Sequence, residues 1–343
     1  MSTAQARKEQ EHPGQSTAAI SPRHRPRRPF RHYLESYALL ALTIATAAFF
    51  SVYPKTSGTF LTAANLRVMV SGDSVVAIVA FGMLVPLVCY QFDLSVGATA
   101  TVASVFFAVA LVHGAALPLA IVIAVGAGIL IGVVNALLVT RLQIDAVITT
   151  LGTSLLITGV VSLKTNGIAI TGNIPTALTN FGTHSTFGIP RPAIAWIVVA
   201  IFCYFLFEYT PYGRYLYALG SNWSAAKLVG IRVRVVLGAS FVIAGVLGAL
   251  AGVLQVAVAG SANPGLGDAV LLQGFAVAFL SVAAIKPGRF NAGGTVVSFL
   301  FLAVLTSGLN LAGSPPYVQD FVNGGALLLG VAMAVRLGGR KLL

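Results

Sequence analysis

Charge is the scarcest property of this 343-residue chain: charged residues make up 9% of it, against ~25% in an ordinary soluble domain. That absence excludes a soluble enzyme with a solvated surface. Acidic residues number 9 against 21 Lys and Arg, and no paired carboxylates or Ser/His/Asp arrangement is evident. Nucleophilic or general acid/base catalysis therefore has no visible machinery. The 2 cysteines, Cys89 and Cys203, lie inside apolar runs and form no CxxC or Cys/His cluster, which excludes a disulfide framework and a zinc site. There is no HExxH, and three of the 5 histidines (His12, His24, His32) fall near the N-terminus. No GxxxxGK followed by Ser or Thr occurs, so the chain lacks the usual phosphate loop for a nucleotide. Residues 1–32 are polar, rich in Arg and Pro, and do not read as a cleaved secretory signal.

What is abundant is apolar sequence. The chain is 57% hydrophobic with a mean hydropathy of +0.89, which places it in a membrane. A spanning helix needs ~20 mostly apolar residues. About ten segments meet this, at roughly 36–53, 68–90, 94–112, 115–140, 146–163, 192–208, 235–258, 269–285, 293–312 and 321–336. The second and third are separated by Gln91, Phe92 and Asp93 alone, so they could form a broken or re-entrant element. The expected class is an all-α polytopic membrane protein with about ten transmembrane helices.

The net charge of +12 invites a nucleic-acid reading, but Lys and Arg first mark the cytoplasmic side of a membrane protein. With ten spans and an internal N-terminus, 17 of the 21 basic residues fall in cytoplasmic segments. Only Lys55, Arg67, Lys164 and Arg191 remain outside. Both termini are expected in the cytoplasm, and no nucleic-acid partner is expected. The resulting organisation is a disordered basic tail (1–35), a transmembrane domain (36–337) containing a cytoplasmic loop (209–234), and a short basic C-terminal tail (338–343). Arg23, Arg25, Arg27, Arg28 and Arg31 lie just before the first span, where membrane lipid headgroups could attract them.

Small residues recur at helical spacing. Gly128, Gly132 and Ala136 share one face of the fourth segment, and Ala244, Gly248 and Gly252 share one face of the seventh. Such stripes let helix backbones approach closely, as static packing or as sliding surfaces. The external loop 164–191 is rich in Thr, Asn, Gly and Pro, suited to an ordered docking surface or to a flexible connector.

The loop 209–234 is the most informative stretch. Asn222 is a good N-cap and Gly230 suits a helix stop, with about two turns of helix between them. Bilayer anchoring alone does not call for a short capped helix framed by basic residues, so it reads as a part presented to a partner. Here the sequence resembles the ribose-type permease subunits of ABC importers for simple sugars. The resemblance rests on an ordered set covering nearly the whole chain after residue 36. It comprises Asp93-Leu94-Ser95-Val96-Gly97, Gly132 to Leu137 with Asn135, Thr150-Leu151-Gly152-Thr153, the Gly213 to Ile231 loop, Gly260-Ser261-Ala262-Asn263-Pro264 and Gly308-Leu309-Asn310-Leu311.

The resemblance implies that Asn222 to Val229 form a coupling helix seated on a cytoplasmic ABC ATPase subunit. Its residues would be Arg214, Gly220, Asn222, Trp223, Ala225, Ala226, Lys227, Leu228 and Gly230. ATP and Mg would be bound by that partner, with no cofactor or metal in this chain. It further implies a second permease subunit, identical or related, and an extracytoplasmic sugar-binding protein. The family usually has Glu after the capping Asn; Trp223 and Ser224 stand there in this chain. Trp223 could anchor a partner contact or sit at the headgroup belt. Gln273-Gly274 and Phe279 to Val282 also depart from the family pattern.

Transport needs polar groups that replace water around a substrate. The candidates are Asp73, Gln91, Asp93, Ser95, Asn135, Thr150, Thr153, Asn263, Gln273 and Asn310, with Thr149 beside them. Asp73, as a carboxylate within a span, costs ~2.5–3.5 kcal/mol to insert and must line a wet cavity or find a partner. Asp93 has a simpler use in capping the next helix. The alternative function is an ion-coupled secondary transporter with Asp73 as its cation or proton site.

Overall fold

The computed structural model describes residues 29–338, with side chains over 36–336. Arg23, Arg25, Arg27 and Arg28, the side chain of Arg31, and residues 339–343 lie outside what is described. Fourteen helices account for most of the described chain: α1 (Pro29–Val52), α2 (Ala63–Gly72), α3 (Ser74–Leu87), α4 (Val96–Val112), α5 (Leu117–Thr140), α6 (Ala146–Thr165), α7 (Thr176–Thr183), α8 (Arg191–Tyr209), α9 (Pro211–Ser221), α10 (Trp223–Leu228), α11 (Val233–Ala259), α12 (Leu266–Leu280), α13 (Ala292–Leu311) and α14 (Tyr317–Gly338). A 3₁₀ turn, Ser281–Ala283, follows α12 directly. The only described strands are two-residue pieces. β1 (Ile170–Thr171) pairs antiparallel with β4 (Ser261–Ala262), and β2 (Ser185–Thr186) with β3 (Ile189–Pro190).

Among the described residues 8 helical stretches are long and apolar enough to cross a membrane, and Ser36–Val52 and Val96–Val112 are shorter apolar helices. They fall where hydropathy places apolar segments, with one difference of substance. The second segment begins earlier than expected and is divided: α2 and α3 meet at Asp73, whose backbone (φ −94°, ψ 11°) leaves the helical region. Asp73 thus lies within the span Ala63–Leu87, at a one-residue break between its two helices. The gap at Gln91 to Asp93 is a true break, with Tyr90 in the left-handed region (φ 58°). The loop after α6 is built rather than loose, since it holds β1, α7 and the β2–β3 hairpin.

The core sits around α3, α4 and α11. Every residue of α3 is buried, as expected for a helix that is apolar all round. α11 packs on α3, α4 and α5 together. Burial of apolar surface does not by itself drive helices together in lipid, so packing depends on how closely the backbones come. The small-residue stripes are where this happens. A Cβ added at Gly128 would strike Gly245 O and lie 2.7 Å from Ala249 Cβ, while one at Gly132 would lie 2.6 Å from Phe241 O. Only glycine fits the α5–α11 crossing. Along α5 the buried residues reduce to Ala120, Ala124, Gly128, Gly132 and Asn135, one stripe on an otherwise exposed apolar helix.

Candidate functional site

The loop between α8 and α11 folds into two short helices, and each residue that shapes them has an identifiable role. Thr210 caps α9 by accepting from Gly213 N (3.1 Å), and Pro211 occupies the first turn, where its missing N–H costs nothing. α9 buries Gly213, Leu216, Leu219 and Gly220. Gly220 lies against Val88 O so closely that any side chain would collide with it. Two tyrosines bolt α9 down: Tyr212 Oη donates to Val236 O (3.0 Å) and Tyr217 Oη to Phe290 O (2.9 Å). Burial pushes both phenols above the ordinary tyrosine range, so they remain donors. Neither tyrosine was singled out from sequence, because aromatic residues next to a span look like belt residues.

Asn222 ends α9 and starts α10, its side chain accepting from Ala225 N (3.0 Å). Gly230, at φ 82°, lets the chain turn away after α10. The six residues of α10 have distinct faces. Ala226 is buried against the protein's own core. Leu228 and Val229 are 88% and 76% exposed, an unusual state for branched aliphatics at the end of a polar loop. Trp223 and Lys227 turn toward a cavity shared with Gln91, Gln143, Asp145 and the start of α11. Of the residues implicated by the family resemblance, Arg214, Asn222, Trp223, Ala225, Lys227, Leu228 and Gly230 are exposed, whereas Gly220 and Ala226 belong to the loop's internal packing.

Five of the polar span residues come together in one buried network. Asp93 Oδ1 accepts from Ser95 N (2.9 Å) and Ser95 Oγ (2.6 Å). Asn135 Nδ2 donates to Ser95 Oγ (2.8 Å), and Thr153 Oγ1 donates to Asn135 Oδ1 (2.8 Å). Thr150 Oγ1 accepts from Leu94 N (3.0 Å) and donates to Ala146 O (2.8 Å). Asp93 does not cap α4 as expected: both of its bonds go to Ser95, the residue that precedes the helix, and neither reaches an N–H of the first turn. The network ties α4 to α5 and α6. Thr149 Oγ1, on the same side of α6, is buried with no hydrogen-bond partner.

The other candidates lie apart. Asn263 is exposed and accepts from Gly265 N (2.9 Å) in a turn; Asn310 accepts from Gln319 Nε2 (2.6 Å), linking α13 to α14; Gln273 is half-buried on α12. Asp73 is half-buried and makes no ion pair among the described residues. The ion pair described is Lys286 Nζ to Glu208 Oε2 (2.5 Å), joining the end of α8 to the turn after α12. No cluster of potential metal ligands occurs among the described residues.

The sequence that folds into this helical bundle has known relatives. A family model described as branched-chain amino acid transport system / permease component matches residues 66–331. The chain belongs to this permease family. Relatives of the permease include the ribose import permease protein RbsC of Escherichia coli, 32% identical over 303 residues, covering 87% of this chain and 92% of the relative. RbsC of Bacillus subtilis is 32% identical over 275 residues, covering 80% and 85%. The autoinducer 2 import system permease protein LsrD of Salmonella paratyphi B is 30% identical over 308 residues, covering 88% and 91%. No solved structure matches the permease. The family and the apolar helices make it a multi-pass inner-membrane transport subunit of the ribose-type ABC importer kind.

Proposed function

We propose that this chain is the membrane-spanning subunit of an ATP-driven importer that translocates a monosaccharide delivered by an extracytoplasmic binding protein. The observation that carries the reading is similarity along most of the chain to permeases named for ribose import, joined to a capped helix on an exposed loop. The family description names branched-chain amino acids, but individual relatives matched over 80% or more of the chain favour a sugar. Ten spans with both termini in the cytoplasm agree with the basic-residue distribution, which puts loop 209–234 inside. There α10 meets a cytoplasmic ABC ATPase subunit, which binds ATP and Mg. Its exposed apolar tip, Leu228 and Val229, is the natural anchor, and Arg214 can pair with acidic groups at the rim. A second permease subunit completes the pathway.

Ion-coupled transport through Asp73 gains no support from the relatives. The decisive experiment is co-purification of the native complex with its ATPase, followed by uptake assays on vesicles. Uptake should follow ATP and require the ATPase. Uptake that collapses with a protonophore yet survives loss of the ATPase would overturn the proposal.

A further inference from the structure

The cavity beside α10 brings basic side chains and an indole together. Its volume is about 720 Å³, within the ~300–1,000 Å³ typical of small-molecule sites. It opens between α10, the α5–α6 turn and the first residues of α11. Lys227, Arg232 and Arg234 line it, and none of the three makes an ion pair or side-chain hydrogen bond among the described residues. The one acid on its wall is Asp145, whose Oδ1 is turned to Val147 N (2.9 Å) and Ile148 N (3.2 Å) as the cap of α6. Arg232 and Arg234 stand at the amino-terminal end of the 27-residue α11, where the helix dipole adds to their charge instead of offsetting it. Charge sorting across the membrane explains why cations lie in this loop. It does not explain why three of them converge on one cavity and share it with an indole.

We propose that this cavity binds a phosphate-bearing ligand, its phosphate held by Lys227, Arg232 and Arg234 and its ring or glycerol moiety laid against Trp223. Guanidinium groups suit phosphate because they bind it through two parallel N–H donors, and an aromatic wall covers the less polar part of the ligand. Gln91 and Gln143 supply neutral hydrogen-bonding groups on the same wall. A free phosphate ester and a phospholipid headgroup present the same chemistry. Occupancy would tie α10 to the α5–α6 turn and to α11, and so restrain the helix proposed above to meet the ATPase. That regulatory consequence rests on the coupling assignment; the binding itself does not.

The chain has 2 tryptophans, and the other, Trp196, is buried against Phe299, so Trp223 reports on the cavity by fluorescence. The full-length chain would be titrated with ribose 5-phosphate, inorganic phosphate and ribose in neutral detergent. It would then be measured in nanodiscs of phosphatidylcholine with and without phosphatidylglycerol. A saturable emission change with ribose 5-phosphate, absent with ribose and lost in Trp223→Phe, is the expected result for a free ester. The same change produced by phosphatidylglycerol without soluble ester supports the site with lipid as its source. Loss of charge in Arg232→Gln/Arg234→Gln should weaken binding by about tenfold or more. Lys227→Gln, on the exposed face of α10, should weaken it as well and guards against a folding defect at α11. No response to any phosphate-bearing probe, an equal response to ribose, or affinity unchanged in both variants overturns the proposal. ATPase co-purification measured in parallel separates the two assignments. Failed binding with intact co-purification removes the site alone, and intact binding with failed co-purification removes the coupling assignment alone.

Discussion

Replacing Asn135 by leucine keeps the side chain's approximate volume and removes both of its hydrogen bonds, to Ser95 Oγ and from Thr153 Oγ1. The groups left behind are not orphaned. Ser95 Oγ still donates to Asp93 Oδ1 (2.6 Å), and the single Thr153 hydroxyl proton turns to its alternative acceptor, Thr149 O (2.9 Å). The loss is therefore that of two net hydrogen bonds without the penalty for a buried unsatisfied partner, about 1–3 kcal/mol. Interhelical hydrogen bonds within membranes average nearer ~0.6 kcal/mol each, which favours the lower end. Unfolding of purified Asn135→Leu, Thr153→Val and the double variant, in mixed micelles of increasing SDS fraction, measures this directly. The cycle should return a coupling of roughly 0.6–1.7 kcal/mol. Additive single effects would refute the network. A loss above ~4 kcal/mol in Asn135→Leu would instead show that a partner had been stranded.

A pair of glycine substitutions separates packing from position on one helix. Gly128→Leu should cost about 3 kcal/mol or more by forcing α5 off α11, whereas Gly126→Leu, with nothing within 4 Å of an added Cβ, should melt like the parent. Similar melting of the two would sink the crossing. On α10, Leu228→Asp should abolish pull-down of the ATPase while leaving thermal stability unchanged, and Ala226→Glu should lower stability itself because its side chain points into the core. Equal behaviour of these two variants would contradict the two-faced description of α10. Lys286→Gln should cost less than about 1 kcal/mol despite the short Lys286–Glu208 contact, since the lysine side chain is 47% exposed; a larger loss in the same assay would mean the pair is shielded in the assembly.

Much of this was legible without coordinates because it depends on local rules. Asn222 and Gly230 bracket α10 through side-chain capping and a left-handed backbone, both of which act within a few residues. The small-residue stripes on α5 and α11 could be read as contact faces, since spacing of four places residues on one side of a helix. The helix break at Asp73, inside the span Ala63–Leu87, was not legible because hydropathy averages over a window and passes through a one-residue interruption.

Length, hydropathy and the distribution of 21 basic residues determined that this is an apolar helical bundle with an exposed basic loop, because those properties act through transfer energies summed along the chain. The tertiary structure alone decided what each polar residue does. Asp93, Ser95, Asn135, Thr150 and Thr153 span 61 positions in sequence yet form one satisfied network, and Asn263, Gln273 and Asn310 stand apart from it. It also turned Ala226 inward and left Leu228 outward, neighbours that composition cannot tell apart. A buried polar group is stabilised only by the particular partner that reaches it, and that pairing is set by the crossing of helices distant in sequence.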